Sequence, residues 1–122
     1  MIDIEAAFLE GDMDRNMYIE WPEGMVELGF ITQEEHDEYC IKLEKSMYGN
    51  VDAALKYFKV YSKYLKEEMN MSQSETDPCI FYIKDDNNLT ELIAAIYVDD
   101  TMLVGTKDKI QWFKDNISKR FN

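Results

Sequence analysis

An α+β fold, a mainly antiparallel sheet with helices packed on one face, is what this sequence predicts, and three observations carry the prediction. Short strand-like apolar runs follow one another late in the chain with only turn residues between them. Two segments, Ala53 to Met69 and Thr106 to Phe121, repeat apolar residues at three- and four-residue steps, the spacing of helices that lay one face on a sheet. The element order, ending in three strands and a helix, puts strands on one side and helices behind them, an α+β sandwich with a mainly antiparallel sheet. The 122 residues amount to one domain.

The chain begins Met1-Ile2-Asp3-Ile4-Glu5-Ala6-Ala7-Phe8-Leu9, an apolar strand broken by the carboxylate of Asp3. Ala6 to Glu10 leaves it as a short helical or turn segment closed by Gly11-Asp12. Met17 to Trp21 alternates in strand fashion until Pro22-Glu23-Gly24 turns it. Thr32-Gln33-Glu34-Glu35 is a capping box, whose hydroxyl and carboxylate satisfy free backbone N–H groups at a helix start, and it opens a polar helix to about Tyr39. Cys40 to Lys45 alternates again, as a half-exposed strand does.

Asp52 is a good N-cap for the longest helix, Ala53 to Met69. Ala54, Tyr57, Phe58, Tyr61, Leu65 and Met69 share one face of it, and at 1.5 Å per residue it is roughly 25 Å long, enough to cross the back of a sheet. Ser72 to Thr76 reads as a polar loop, and Asp77-Pro78 bars helix before the strand Cys79 to Lys84. Asp85-Asp86-Asn87-Asn88 supplies a hairpin turn; a calcium loop would need spaced ligands and a closing Glu. Thr106 caps the last helix, with Ile110, Phe113, Ile117 and Phe121 as its buried stripe.

Composition excludes several functions. With 13 basic and 25 acidic residues the net charge is −12, which argues against this stretch gripping a phosphate backbone with its own side chains. Cys40 and Cys79 have no Cys or His at metal-ligand spacing and are expected as buried, reduced thiols; His36 sits on a solvated helix face, so zinc chemistry is not expected. No apolar run approaches the roughly 20 residues of a membrane span, giving the expectation of a soluble, intracellular protein. The abrupt start on a strand and the end just after an amphipathic helix give the expectation of an excised middle.

The chemistry concentrates at Ile96-Tyr97-Val98-Asp99-Asp100-Thr101-Met102-Leu103-Val104. Leu92 to Val98 reads as a buried strand and Met102 to Val104 as the start of its return partner, so Asp99 and Asp100 sit at the tip of a hairpin. Acids among aliphatics must face water or be compensated, because burying one uncompensated costs several kcal/mol. An Asp-Asp pair in a tight turn is also ordinary hairpin chemistry, and the dipeptide alone favours that reading. The third acid shifts the balance: if the first strand lies beside the hairpin, Asp3 comes against Asp99 and Asp100. Three such carboxylates can hold two divalent cations roughly 3.5 to 4 Å apart, stabilising both oxygens of an in-line phosphoryl displacement. Neighbouring strand residues face opposite ways, so a tight reversal at Thr101 is expected to rotate one acid toward the other. Oxygen-only ligands favour magnesium or manganese.

Five blocks in order resemble the reverse transcriptase of Ty1/copia-type LTR retrotransposons: Asp3-Ile4-Glu5-Ala6-Ala7-Phe8-Leu9-Glu10-Gly11, Met17-Tyr18-Ile19-Glu20-Trp21-Pro22-Glu23-Gly24, Leu43-Glu44-Lys45-Ser46-Met47-Tyr48-Gly49, Ser74-Glu75-Thr76-Asp77-Pro78-Cys79 and Tyr97-Val98-Asp99-Asp100. They cover nearly the whole chain. The resemblance implies the palm of an RNA-directed DNA polymerase over residues 1–122, with fingers and thumb largely missing. It implies Asp3, Asp99 and Asp100 as catalytic carboxylates binding two magnesium or manganese ions, which serve attack of a primer 3′-hydroxyl on the α-phosphate of a dNTP. It also implies Ile4, Phe8 and Tyr97 as substrate-binding residues. The Ile4 carbonyl would add a metal ligand, and the Phe8 ring would exclude a ribose 2′-hydroxyl; on side-chain type alone Phe8 reads equally as a core aromatic.

The implied partners are an RNA/DNA template-primer and dNTP, with the fingers, thumb and RNase H parts of a polyprotein in a cytoplasmic virus-like particle. One block departs: after Tyr48-Gly49 the family usually continues Leu-Lys-Gln-Ala-Pro-Arg, whereas here Asn50-Val51-Asp52-Ala53-Ala54-Leu55 follows, placing the acid Asp52 where a nucleotide-holding Gln is usual. The alternative reading is therefore a non-catalytic remnant or interaction domain that keeps the fold while the acids are solvated turn residues.

Overall fold

The computed structural model describes residues 2–4, 7–47, 49–50 and 52–121, the side chains of Ile2, Asp3 and Phe8 excepted. Expectations at Glu5, Ala6 and Tyr48 fall outside the described residues. The architecture is α+β, and among the described residues the strand pairing is antiparallel throughout and there are three α-helices. Strands β1 (Ile2–Asp3), β4 (Ser72–Gln73), β5 (Ile80–Lys84), β6 (Thr90–Tyr97) and β7 (Asp100–Gly105) form one sheet in the order β1-β7-β6-β5-β4. β2 (Asp12–Ile19) and β3 (Ile41–Lys45) form a separate two-stranded ribbon.

Helices α2 (Ala53–Glu67) and α3 (Lys107–Arg120) cover one face of the large sheet. Tyr57, Tyr61 and Leu65 of α2 and Phe113 and Ile117 of α3 meet Phe81, Leu92, Ala94 and Ile96 of the strands in one core, joined by Ile4, Met69 and Phe121. Its aromatic centre is ordered: Tyr57 stacks on Tyr61 with centroids 5.5 Å apart, and Phe121 stands edge-on to Tyr61 at 5.3 Å. The opposite face of the sheet is open, and Tyr97, Met102 and Val104 lie exposed on it. Apolar residues on both faces explain why β6 and β7 read as continuous hydrophobic runs.

The expected α1 (Gln33–Glu38) forms with its complete capping box: Thr32 Oγ1 accepts from the Glu35 N–H at 3.1 Å, and Glu35 accepts from the Thr32 N–H at 2.8 Å. Thr106 caps α3 by accepting from the Lys109 N–H. The Asp85 turn forms as a hairpin, its carboxylate accepting the N–H groups of Asn87 and Leu89. Gly105 ends β7 where a Cβ would clash with the Glu91 carbonyl, so the strand closes against β6 only without a side chain.

Several expectations are corrected. Ser72–Gln73 is a strand pairing β5 rather than loop. β2 starts at Asp12, because its register jumps from Asp12↔Lys45 to Met17↔Leu43 and the intervening polar bulge hides the alternation. α2 ends at Glu67, and Ala53 rather than Ala54 faces inward. Cys40 is exposed and Cys79 half-buried; both are free, and Cys40 directly precedes β3, a strand with no buried residue. No described helix is long and apolar enough to cross a membrane.

Candidate functional site

Strand β1 lies against β7 with Ile2 opposite Thr101 and Asp3 opposite Asp100. The Ile4 N–H donates to the Asp99 carbonyl at 3.3 Å, one step further along. Antiparallel pairs alternate between hydrogen-bonded and non-hydrogen-bonded, so Asp3 and Asp100 form the non-bonded kind, whose Cα atoms stand roughly 4.5 Å apart. The topology thus brings together the two ends of the acid set expected from sequence, nearly a hundred residues apart along the chain.

β6 and β7 are joined by Val98 and Asp99 alone, since Tyr97 pairs with Asp100. The reversal is therefore at Val98-Asp99, not at Thr101 as expected. Thr101 is instead a fully buried strand residue, paired with Ile96 on one side and Ile2 on the other. Val98 takes φ +56° as the first of two central turn residues, the position a II′ hairpin normally gives to glycine. A β-branched side chain there is strained by about 1 to 3 kcal/mol. Sequence reasoning missed this because valine is a residue that turn rules exclude from positive φ.

Asp99 in the turn and Asp100 at the head of β7 are both half-buried. None of the described ion pairs includes either. Among the described residues no three acids, cysteines or histidines converge closely enough to hold a cation by themselves, and the side chain of Asp3 lies outside them. The Asp3–Asp100 register places two acidic positions directly opposite each other on neighbouring strands, a pairing that like charges disfavour. An all-oxygen carboxylate set suits magnesium or manganese.

Around the acids, Tyr97 is 79% exposed and borders an open groove of about 250 Å³ lined by Ala95, Ile96, Tyr97, Asp100 and Met102. Ile4 is buried, and its carbonyl accepts the Ala7 N–H at 3.3 Å, leaving one lone pair for another partner. Phe8 lies on the 3-10 turn Ala7–Glu10 that follows β1, and the Arg120–Glu10 ion pair at 2.7 Å joins that turn to the end of α3. On the helix side, the Tyr61 hydroxyl meets Thr101 Oγ1 at 3.0 Å inside the core. Burial pushes the Tyr61 hydroxyl up to about 12.

Asp52 occupies the N-cap position of α2 but makes no capping hydrogen bond with its side chain. It pairs instead with Lys56 at 3.3 Å and Arg15 at 3.7 Å, and Lys56 also holds Asp14 at 2.9 Å. The Lys56 ammonium keeps both carboxyls below the usual carboxylate range, and Asp14 in turn raises Lys56. The acid that departs from the familiar motif is thus compensated within the chain.

The family model described as "Reverse transcriptase (RNA-dependent DNA polymerase)" matches residues 1–122. The "Retrovirus-related Pol polyprotein from transposon TNT 1-94" of Nicotiana tabacum is 33% identical over 99% of this chain and 9% of its own length. The "Retrovirus-related Pol polyprotein from transposon RE1" of Arabidopsis thaliana is 25% identical over 99% of this chain and 8% of its own. The "Transposon Ty1-NL2 Gag-Pol polyprotein" of Saccharomyces cerevisiae is 26% identical over 88% of this chain and 5% of its own. The chain therefore spans less than a tenth of the length of these relatives. No solved structure matches it.

Proposed function

The chain belongs to the reverse transcriptase (RNA-dependent DNA polymerase) family, of the Ty1/copia retrotransposon type, and we propose that it is the catalytic palm of that polymerase, with Asp3, Asp99 and Asp100 as its metal-binding carboxylates. The observation that carries this reading is the register that sets Asp3 directly opposite Asp100, with Asp99 in the two-residue turn beside them. Magnesium or manganese held by these acids supplies the charge that neutralises a dNTP triphosphate and makes a primer 3′-hydroxyl a better nucleophile. The Ile4 carbonyl adds an oxygen at the same edge, and exposed Tyr97 offers its ring to the primer end. Phe8, on the 3-10 turn that follows β1, is the residue whose ring would exclude a ribose 2′-hydroxyl. RNA/DNA template-primer and the basic groups that grip it belong to the rest of the polyprotein, consistent with the net charge of −12 here.

Manganese titration of the chain, followed by electron paramagnetic resonance, tests this. Binding at millimolar metal or tighter is expected, and is lost in Asp3→Asn and Asp99→Asn. No binding at that concentration would favour the non-catalytic remnant. In primer extension on poly-rA/oligo-dT with magnesium, the chain by itself is expected to give little or no product; robust extension would show that 122 residues supply the nucleic-acid grip as well.

A further inference from the structure

We propose that the hydrogen bond between Tyr61 and Thr101 is the register lock of the acidic hairpin, making Tyr61 and Thr101 positioning residues for Asp100; this rests on the metal-binding reading of the acids. Thr101 is the residue after Asp100 and is fully buried, between Ile2 of β1 and Ile96 of β6. Its hydroxyl reaches Tyr61 at 3.0 Å, and Tyr61 is fully buried on α2 between the ring of Tyr57 and the edge of Phe121. The neighbours of Thr101 in the core are otherwise aliphatic and aromatic, and such packing tolerates sliding between similar side chains. A buried hydroxyl pair does not.

Sheet geometry ties this pair to the acids. Side chains alternate between faces, so shifting β7 by one residue would exchange the buried face for the open one. Thr101 and Leu103 face the helices, whereas Asp100, Met102 and Val104 belong to the open side. A slip would present either Asp100 or Met102 to Tyr61: the first buries a carboxylate, the second leaves a phenol hydroxyl without an acceptor in an apolar core. The first is costly whatever stands at position 61; the second is costly because Tyr61 carries a hydroxyl, so the Tyr61–Thr101 pair adds a polar penalty to the register that burial already favours. Apolar residues at positions 61 and 101 would fill the same volume without that polar penalty, leaving the register to burial alone and to the strained Val98 turn beside them.

The double variant Tyr61→Phe/Thr101→Val separates positioning from stability, because replacing both partners of a buried hydrogen bond by apolar groups of similar shape leaves stability nearly unchanged. Its thermal midpoint should stay close to wild type while manganese affinity falls about tenfold, the low end of the effect of losing an outer partner of a metal ligand. Thr101→Ser keeps the hydroxyl and should keep wild-type affinity. Wild-type affinity in the double variant would overturn the proposal. Backbone NOEs between position 101 and Ile2 and Ile96 read the register without metal: weakened in the double variant, they support the lock even if the wild type binds no manganese, a result that would instead fail the metal-site reading. Unchanged NOEs with unchanged affinity would leave the hydroxyl pair a packing detail.

Discussion

The acidic hairpin and the β2–β3 ribbon are both antiparallel pairs of similar length, yet they are held by different forces. The hairpin stands on a core in which Tyr57, Tyr61, Phe81, Phe113 and Phe121 are fully buried. From Asp12 to Lys45, by contrast, no described residue is buried. The ribbon is held by the Lys45–Asp12, Lys56–Asp14 and Arg15–Asp52 pairs and by a hydrogen bond from Trp21 Nε1 to the Tyr39 carbonyl at 2.8 Å. Gly11 lets it approach α2 closely, since a Cβ there would meet Lys56 Cβ at 2.8 Å. A site that must hold acids in fixed register is thus built where burial dictates geometry, and the charged ribbon is left to adjust.

The largest contrast should appear on truncation. Phe113→Ala removes a fully buried ring and is expected to cost about 3 to 5 kcal/mol in urea unfolding, enough to unfold much of the protein. Tyr18→Ala in the ribbon removes a ring 55% exposed and should change stability by less than about 0.5 kcal/mol. Equal losses at the two positions would break the distinction.

A smaller effect distinguishes the regions at alkaline pH. The Tyr61 hydroxyl is raised by burial to about 12, while an unfolded tyrosine titrates near 10. The unfolded chain therefore gives up this proton first. Tyr61 contributes its full stability below about pH 10 and loses it as pH rises toward 12, a difference of roughly 2 to 3 kcal/mol. The urea midpoint of wild type should fall more steeply than that of Tyr61→Phe between about pH 9 and 11. Parallel slopes would show that Tyr61 is solvated.

The same contrast explains how much the sequence disclosed. Helix α2 and helix α3 were readable because core-facing stripes recur at helical spacing, and the α1 capping box because its signal is complete within four residues. The pairing of Asp3 with the hairpin was readable because an acid interrupting an apolar strand is anomalous wherever it occurs. The turn position was not, since Val98 at positive φ contradicts local preference and is imposed by the packing of β6 and β7. The start of β2 was hidden by its bulge, and the pairing of Asp52 with Lys56 and Arg15 joins segments whose contact no local pattern announces. Sequence rules served best where burial and local preference agreed, and failed where charges or tertiary packing chose between alternatives.

The smallest expected effect concerns the ribbon in acid. Lys45 holds the Asp12 carboxyl below its usual range, and Lys56 does the same for Asp14 and Asp52. Carboxyls depressed in the folded state bind fewer protons than in the unfolded one, so their contribution is present above the ordinary value near 4 and is lost as pH falls through the depressed values. Amide protection factors in residues 12–19 and 41–45 should therefore drop as pH falls below about 4, and also in about 1 M salt, where exposed pairs are screened. Protection in residues 92–96, which lie under α2 and α3, should hold under both conditions. If the two sets of amides lost protection together, the ribbon would be part of the same cooperative unit as the core, and its ion pairs would help to hold the acidic hairpin in place.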